Sequence, residues 1–233
     1  VVLVRLLGLD FDTDKSFLLP TALPMMRQLR ELYEAHPNEH LLVVGHADPS
    51  ETKHDTDILS LERSLAVLAF LADDVDSWLL RYDPMSALGA VWGAGEDRLM
   101  LKGLVARKQG LTSIDIKAYQ EWHNALEPAA RARNWEELKA DGELGPLTRA
   151  QLIGDYMNLD GTTLPPGMRI GVHGAGANFP IPEPESGAAW ERFSEQRNRR
   201  VEFFFFDGQA GIVPAPANVI ASAGAPEYLA WKE

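Results

Sequence analysis

The chain has 233 residues, 45% hydrophobic and 24% charged, enough to bury a core in one large domain or in one domain carrying a smaller second. With 22 Lys and Arg against 34 Asp and Glu the formal charge is -12, which excludes a broad basic face for nucleic acid or anionic lipid, so an anionic ligand has to be caught in a local pocket. Cysteine is absent, which excludes disulfides, thiolate metal ligands and a cysteine nucleophile.

No run approaches the roughly 18 apolar residues of a membrane span, so no membrane insertion is expected. The first residues lack the basic-then-apolar pattern of a signal peptide, and Val1 reads as lying inside a strand, as in a fragment of a longer chain.

Residues 2 to 9 form a short apolar run that predicts a buried strand, and Asp10, Asp12 and Asp14 then mark an exposed turn. From 21 to 35 the period becomes helical, with Leu23, Met26, Leu29 and Leu32 on one stripe and Pro37 beyond its end. Leu41 to Val44, closing at Gly45, reads as a strand buried on both faces, the kind found in parallel sheets, and strand, helix, strand implies a right-handed crossover. After a polar loop from 46 to 58, Ser60 is placed to cap a helix in which Leu61, Leu65, Leu68 and Ala72 share a side and which continues towards Trp78 and Tyr82.

Residues 169 to 174 and 200 to 206 predict two later strands, separated by a Pro/Glu-rich stretch at 180 to 186 and a short polar helix at 187 to 197. The expected fold class is α/β, more closely an α+β sandwich with a mixed sheet. Its core is interrupted at 83 to 167 by an inserted helical subdomain, whose signals are Ile114, Ala118, Trp122 and Leu126 and then Leu147, Leu152 and Tyr156. The core thus comprises 1 to 82 and 168 to 207, and 208 to 233 is a tail rich in Pro, Ala and Gly that wraps or dangles.

Three segments meet at one edge of such a sheet: Asp48 past the second strand, Arg63 in the first turn of the next helix, and Asn198-Arg199-Arg200 leading into the last strand. Open sheets of this kind bind ligands beyond the carboxyl ends of parallel strands. A cation in a first helical turn opposes the macrodipole, at a cost of a few tenths to about 1 kcal/mol, so an anion is expected to offset it. A guanidinium fork beside free helix N–H groups suits a carboxylate. Asp48 either pairs with Arg63 itself or takes an ammonium while Arg63 takes the carboxylate of an amino-acid zwitterion.

Four ordered motifs, FDTDKSFLLPTAL (11 to 23), VVGHADPSETKHDTDILSLERSLAVLAFL (43 to 71), GAGANFPI (174 to 181) and QRNRRVEFFF (196 to 205), resemble the OmpA C-terminal (OmpA/MotB) peptidoglycan-binding domain. The resemblance covers a little over half of the chain. It implies a βαβαββ core and non-catalytic, cofactor-free binding of the diaminopimelate of a peptidoglycan stem peptide, which would anchor a larger protein in the periplasm or at the outer membrane of a Gram-negative envelope. The family's Asp and Arg that contact diaminopimelate fall on Asp48 and Arg63, fifteen residues apart, and its Asn-Arg-Arg falls on Asn198, Arg199 and Arg200, one Arg of which is expected to hold ligand or loop. Ser50, Thr56 and Asp14 complete the candidate ligand-binding set.

The departures are Ala47 for a Thr, Glu51 for a loop Gly, and Thr56 for an Asn, and Glu51 adds negative charge to a pocket meant for a carboxylate. They support the alternative of an OmpA-like fold that has lost its ligand and makes protein contacts through the insert, the tail or the Phe203 to Phe206 strand. The enzymatic alternative is a metal-dependent wall hydrolase using His46, Asp48, His54, Asp55 and Asp57. In the insert, IDIKAYQEWHNAL (114 to 126) and DGELGPLTRAQLIGDY (141 to 156) resemble a helical peptidoglycan-binding domain, with Pro146 and Thr148 opening a helix. His173 reads as a packed core residue. Trp92, Trp122 and Trp135 read as core aromatics before sugar-stacking platforms.

Overall fold

A computed structural model describes residues 2–6, 11–85, 89–127, 130, 137–159, 161–165, 169–181 and 196–207. The chain divides into two compact units, one of 1–68, 88–90 and 164–233, the other of 69–87 and 91–163. The sequence reading opened the second unit at 83, whereas the residues from Ala69 onward already belong to it. The tail at 208 to 233, most of the polar helix expected at 187 to 197, and Trp135 lie outside the described residues.

The first unit is α+β. Its described strands are β1 (Val2–Leu6), β2 (Glu39–Gly45), β3 (Ile170–Gly174) and β4 (Val201–Asp207), and its helices are α1 (Leu23–Ala35) and α2 (Thr56–Leu71), the last three residues of α2 falling in the second unit. The sheet order is β1-β4-β2-β3, with β2 and β3 parallel and β4 antiparallel to both β1 and β2. The sheet is therefore mixed, and β1 and β2 are separated by β4 rather than adjacent.

Register explains the core. Val43 sits opposite Phe203 and Leu41 opposite Phe205, all buried, on the face to which alternate residues of each strand point. Gly45 and Gly174, paired on that same face, let α2 approach the backbone: a Cβ on Gly45 would collide with the Ser60 carbonyl oxygen, and one on Gly174 would meet the Leu61 nitrogen at 2.8 Å. His36, just past α1, lies 6.4 Å from the Phe205 ring. On the opposite face Leu42, Val44 and Phe204 pack with Ala175 and Phe179 of the loop that follows β3.

Phe203, Phe204 and Phe205 are each at most 1% exposed in a strand bonded on both sides, so this stretch is core, not the partner surface allowed for above. Successive residues of a strand point to opposite faces, and the face of Phe203 and Phe205 and the face of Phe204 are both covered.

The second unit is helical: α3 (Val75–Leu79), α4 (Ala94–Arg107), α5 (Ile116–Ala125) and α6 (Pro146–Met157). The helix expected to run on to Tyr82 instead stops at Leu71. Asp73 adopts a left-handed conformation (φ 54°), and the Asp74 carboxylate then accepts the Ser77 N–H to start α3. Pro146 occupies the first turn of α6, as the sequence signals imply, and Asp115 caps α5 by accepting the Ala118 N–H. The core of this unit is aromatic, Trp78 meeting Trp92 edge-on at 4.9 Å and lying 5.9 Å from Tyr156. Trp92 is thus a core residue, while Trp122 is half-buried and donates its indole N–H to the Gln109 carbonyl.

Candidate functional site

The residues singled out by sequence do gather at one edge of the first unit, where β2 ends and β4, running the other way, begins. The His46 N–H bonds to the Arg200 carbonyl and the Ala47 N–H to the Gly176 carbonyl, locking together the segments after β2, after β3 and before β4.

Arg63 is not in the first turn of its helix. The Asp55 carboxylate accepts the Asp57 N–H, so α2 starts at Thr56, four residues before Ser60, and Arg63 is the eighth residue. The macrodipole argument for an anion therefore falls away. Ser60 is an interior residue whose hydroxyl donates to the Asp57 carbonyl and accepts the Gly176 N–H.

The anion is present all the same, and it belongs to the protein. Arg63 is fully buried, and its guanidinium grips the Glu51 carboxylate with both arms, Nη2 to Oε1 at 2.6 Å and Nη1 to Oε2 at 2.8 Å. Each carboxylate oxygen receives one further donor: the Asp14 N–H reaches Oε1 and the Asp48 N–H reaches Oε2, both at 2.8 Å. The remaining Arg63 N–H bonds go to the carbonyls of Lys15 (3.0 Å), His46 (3.0 Å) and Asp12 (3.2 Å). All five guanidinium N–H groups are thus engaged. The guanidinium carbon lies 5.1 Å from the centre of the Phe11 ring. An outside carboxylate reaches Arg63 only if Glu51 leaves.

Asp14 holds its N–H toward Glu51 by adopting φ 54°, a left-handed conformation uncommon for a residue other than glycine. Its own carboxylate accepts the Lys53 N–H at 3.3 Å. Asp48, also fully buried, does not partner Arg63. One of its oxygens accepts the N–H and hydroxyl of Ser50, and the other accepts the Asn198 amide at 2.9 Å. Asn198 in turn accepts the Ile181 N–H. Thr56 opens α2 and is half-buried.

The two arginines divide their work, and both hold loops. Arg199 donates to the Phe11 carbonyl at 3.3 Å. Arg200, fully buried, pairs with Glu202 at 2.8 Å and bonds to the Phe179 carbonyl, with His46 3.7 Å from the other Glu202 oxygen. Asp57 lies beside Asp55, and burial together with that neighbouring charge raises its carboxyl above the usual range. Among the described residues no three His, Cys, Asp or Glu side chains are arranged to hold a metal ion. His173 is fully buried in β3.

The sequence marks Glu51 as a charge able to plug the pocket without showing that it does; the structure puts it there. The readable signal is an acid three residues past Asp48 in a loop leading to a buried Arg. The two backbone N–H donors leave no trace in residue identity.

In the second unit the motif residues build a clamp around the uncharged amide of Gln120. The Gln120 amide oxygen accepts the Gly142 N–H, and its nitrogen donates to the Glu143 carbonyl at 3.0 Å, to Asp141 and to the Thr148 hydroxyl, fastening the Asp-Gly turn between α5 and α6. Nearby, Tyr119 donates to Asp155 at 2.7 Å and His123 Nδ1 lies 3.1 Å from the same oxygen.

Comparison of the chain with protein-family models, curated proteins and solved structures finds no match.

Proposed function

We propose that this chain is a non-catalytic module of the OmpA-like kind whose carboxylate seat is filled by its own Glu51, so that it serves as a structural and protein-interaction module of the cell envelope. The fold reading rests on the four ordered motifs, and the mixed sheet with β4 between β1 and β2 is compatible with a βαβαββ core. The envelope location rests on the resemblance alone.

The resemblance also suggests stem-peptide binding through Asp48 and Arg63. The observation that weighs against it is the four-donor seating of Glu51. A ligand carboxylate offers Arg63 and the two backbone N–H groups nothing that Glu51 does not already supply, and it has to displace a partner tethered at high effective concentration. Asp48, the expected ammonium partner, is committed to Ser50 and Asn198. Protein contacts are then left to surfaces outside the cradle, the helical unit among them.

The test is co-sedimentation of the purified protein with insoluble peptidoglycan, alongside Glu51→Gly and Asp48→Asn. Wild type is expected to stay in the supernatant. Saturable sedimentation of wild type that Asp48→Asn abolishes would restore the stem-peptide reading.

A further inference from the structure

We propose that the Asp141–Gly142 bond is a latent site of covalent modification, by succinimide and then isoaspartate formation, and that Gln120 is the positioning residue that keeps it latent by holding both reacting groups. The site lies wholly in the second unit and owes nothing to the Arg63 seat.

The reaction needs no co-reactant but water. The Gly142 amide nitrogen attacks Cγ of the neutral Asp141 carboxyl, a C–N bond forms, and the amide hydrogen and the carboxyl hydroxyl leave together as water, which gives a five-membered succinimide. Water then opens the ring. Opening at the backbone carbonyl leaves the chain running through Cγ, with one extra methylene in the backbone and a free α-carboxylate; nothing is oxidised or reduced. A glycine after the aspartate removes the side chain that would crowd the attack. Gly142 adopts φ 80°, and residues 141 to 143 are exposed, so water is at hand.

Against this stand the bonds that one buried side chain makes to both reactants. Gln120 is fully buried; its Oε1 accepts the Gly142 N–H at 2.9 Å, and its Nε2 donates to Asp141 Oδ1 at 3.3 Å and to the Glu143 carbonyl at 3.0 Å. The nucleophile's proton thus faces an amide oxygen too weakly basic to take it, and the peptide plane turns only if that bond breaks. Asp141 Oδ1 also accepts the Glu143 N–H at 2.9 Å, which aims the carboxylate onward along the chain, past the Gly142 nitrogen. That contact first, and Lys139 after it, lowers the Asp141 carboxyl to about 2, so the neutral acid that can lose its hydroxyl is scarce. Lys139 itself is 87% exposed, so the buried hold on the turn is Gln120. Once the extra methylene is in place, Asp141 and Gly142 lose the spacing at which a single amide meets both, and the clamp does not re-form.

The experiment is incubation of full-length wild type, Gln120→Ala and Tyr119→Phe under native conditions in one mildly acidic buffer, followed by peptide mapping and enzymatic methylation of isoaspartate. A synthetic peptide of residues 137–147 sets the unrestrained rate. Tyr119→Phe loses the hydroxyl bonded to Asp155, a contact of the same unit outside the clamp, and so reports general loosening. Wild type and Tyr119→Phe are expected to isomerise at Asp141 roughly tenfold more slowly than the peptide, the order set by one or two hydrogen bonds of ordinary net worth, and Gln120→Ala to approach the peptide. The chain's other Asp-Gly pairs, 160–161 and 207–208, are read in the same digest and are expected to keep their wild-type rates in Gln120→Ala.

Isomerisation of folded wild type at the peptide's rate, no acceleration in Gln120→Ala, or equal acceleration in Tyr119→Phe or at the other Asp-Gly pairs would overturn the proposal. If Gln120→Ala does not fold, Gln120→Glu decides by the same criteria. It keeps the size and the acceptor for Gly142 but loses both N–H groups and sets a charge against Asp141, so faster isomerisation at Asp141 supports the guard and an unchanged rate contradicts it.

Discussion

The two units each bury a polar knot that ties distant segments together, but one centres on an ion pair and the other on an uncharged amide with carboxylates beside it. In the first, Arg63 and Glu51 bring the loop before α1, the loop after β2 and α2 to a single point. In the second, the uncharged Gln120 fastens the Asp-Gly turn, and a Tyr119–Asp155–His123 cluster joins α5 to α6. The difference lies in what happens when one member is lost. A buried ion pair stripped of one partner strands a full charge, whereas an amide stripped of its partner strands only a dipole.

The comparison can be broken most forcefully at the ion pair. Glu51→Ala is expected to destabilise the first unit by about 3–5 kcal/mol, the usual cost of leaving a buried charge unpaired, in urea unfolding followed by a probe of that unit. Glu51→Gln keeps the shape but also strands the Arg63 charge and turns an NH2 toward two of the four donors, so it should cost a comparable amount. If both cost under about 1 kcal/mol, Arg63 is not the buried, charge-dependent centre described here.

Gln120→Ala comes next. It leaves the Gly142 N–H and the Glu143 carbonyl without this partner at a cost of about 1–3 kcal/mol, and hydrogen exchange at Gly142 should quicken with little change at Asp48. Quickened exchange in both units alike would show that the two knots are not independent.

Alkaline pH sharpens the contrast. Burial first, and the nearby Asp155 charge second, raise the Tyr119 hydroxyl well above 10; burial does the same for Tyr156, and burial with the Asp97 charge raises Tyr82. An acid whose folded value is raised contributes stability that is complete below its unfolded value, near 10, and lost as pH climbs from there towards the folded value. The second unit should therefore weaken above pH 10 by about 1.4 kcal/mol per pH unit for each fully buried tyrosine, with tyrosinate absorbance appearing together with unfolding. Tyrosinate forming before unfolding would contradict this.

The smallest effect is expected at acid pH. The Asp141 carboxyl is lowered to about 2, mainly by the Glu143 backbone N–H and then by Lys139. A depressed carboxyl contributes stability that is present above its unfolded value, 3.8, and lost as pH falls towards 2. The Asp-Gly turn should loosen in that window, read as faster exchange at Glu143, and Asp141→Asn should remove the pH dependence.

How far these features could be read from sequence depended on whether packing followed a simple period. The run Leu41 to Val44 and, on α1, Leu23, Met26 and Leu29 were legible because these buried positions are apolar and periodic, but the fourth buried place on α1 is Tyr33 and not the expected Leu32, which is half-buried. Helix α4 was not, because its buried residues include Glu96, Asp97 and Gly103 among Met100, Leu101 and Leu104, which breaks the apolar stripe. Asp97 is buried because Arg149 pairs with it from α6, more than fifty positions away, and no local pattern carries that.

The start of α2 was misplaced for a related reason. Ser60 has the chemistry of a cap, but the carboxylate that performs the work is Asp55, and the shift moved Arg63 two turns into the helix. The sequence points to an anion at Arg63, yet the source of that anion is tertiary: Glu51 is aimed by a left-handed Asp14 and by a fork two turns along α2.

The most direct test of the occupied seat is calorimetric titration of wild-type protein with meso-diaminopimelate. No saturable heat is expected, because every donor that could meet the ligand's carboxylate already holds Glu51. A saturable isotherm that Asp48→Asn weakens would show that the seat is open to ligand in solution, and that Glu51 does not close it.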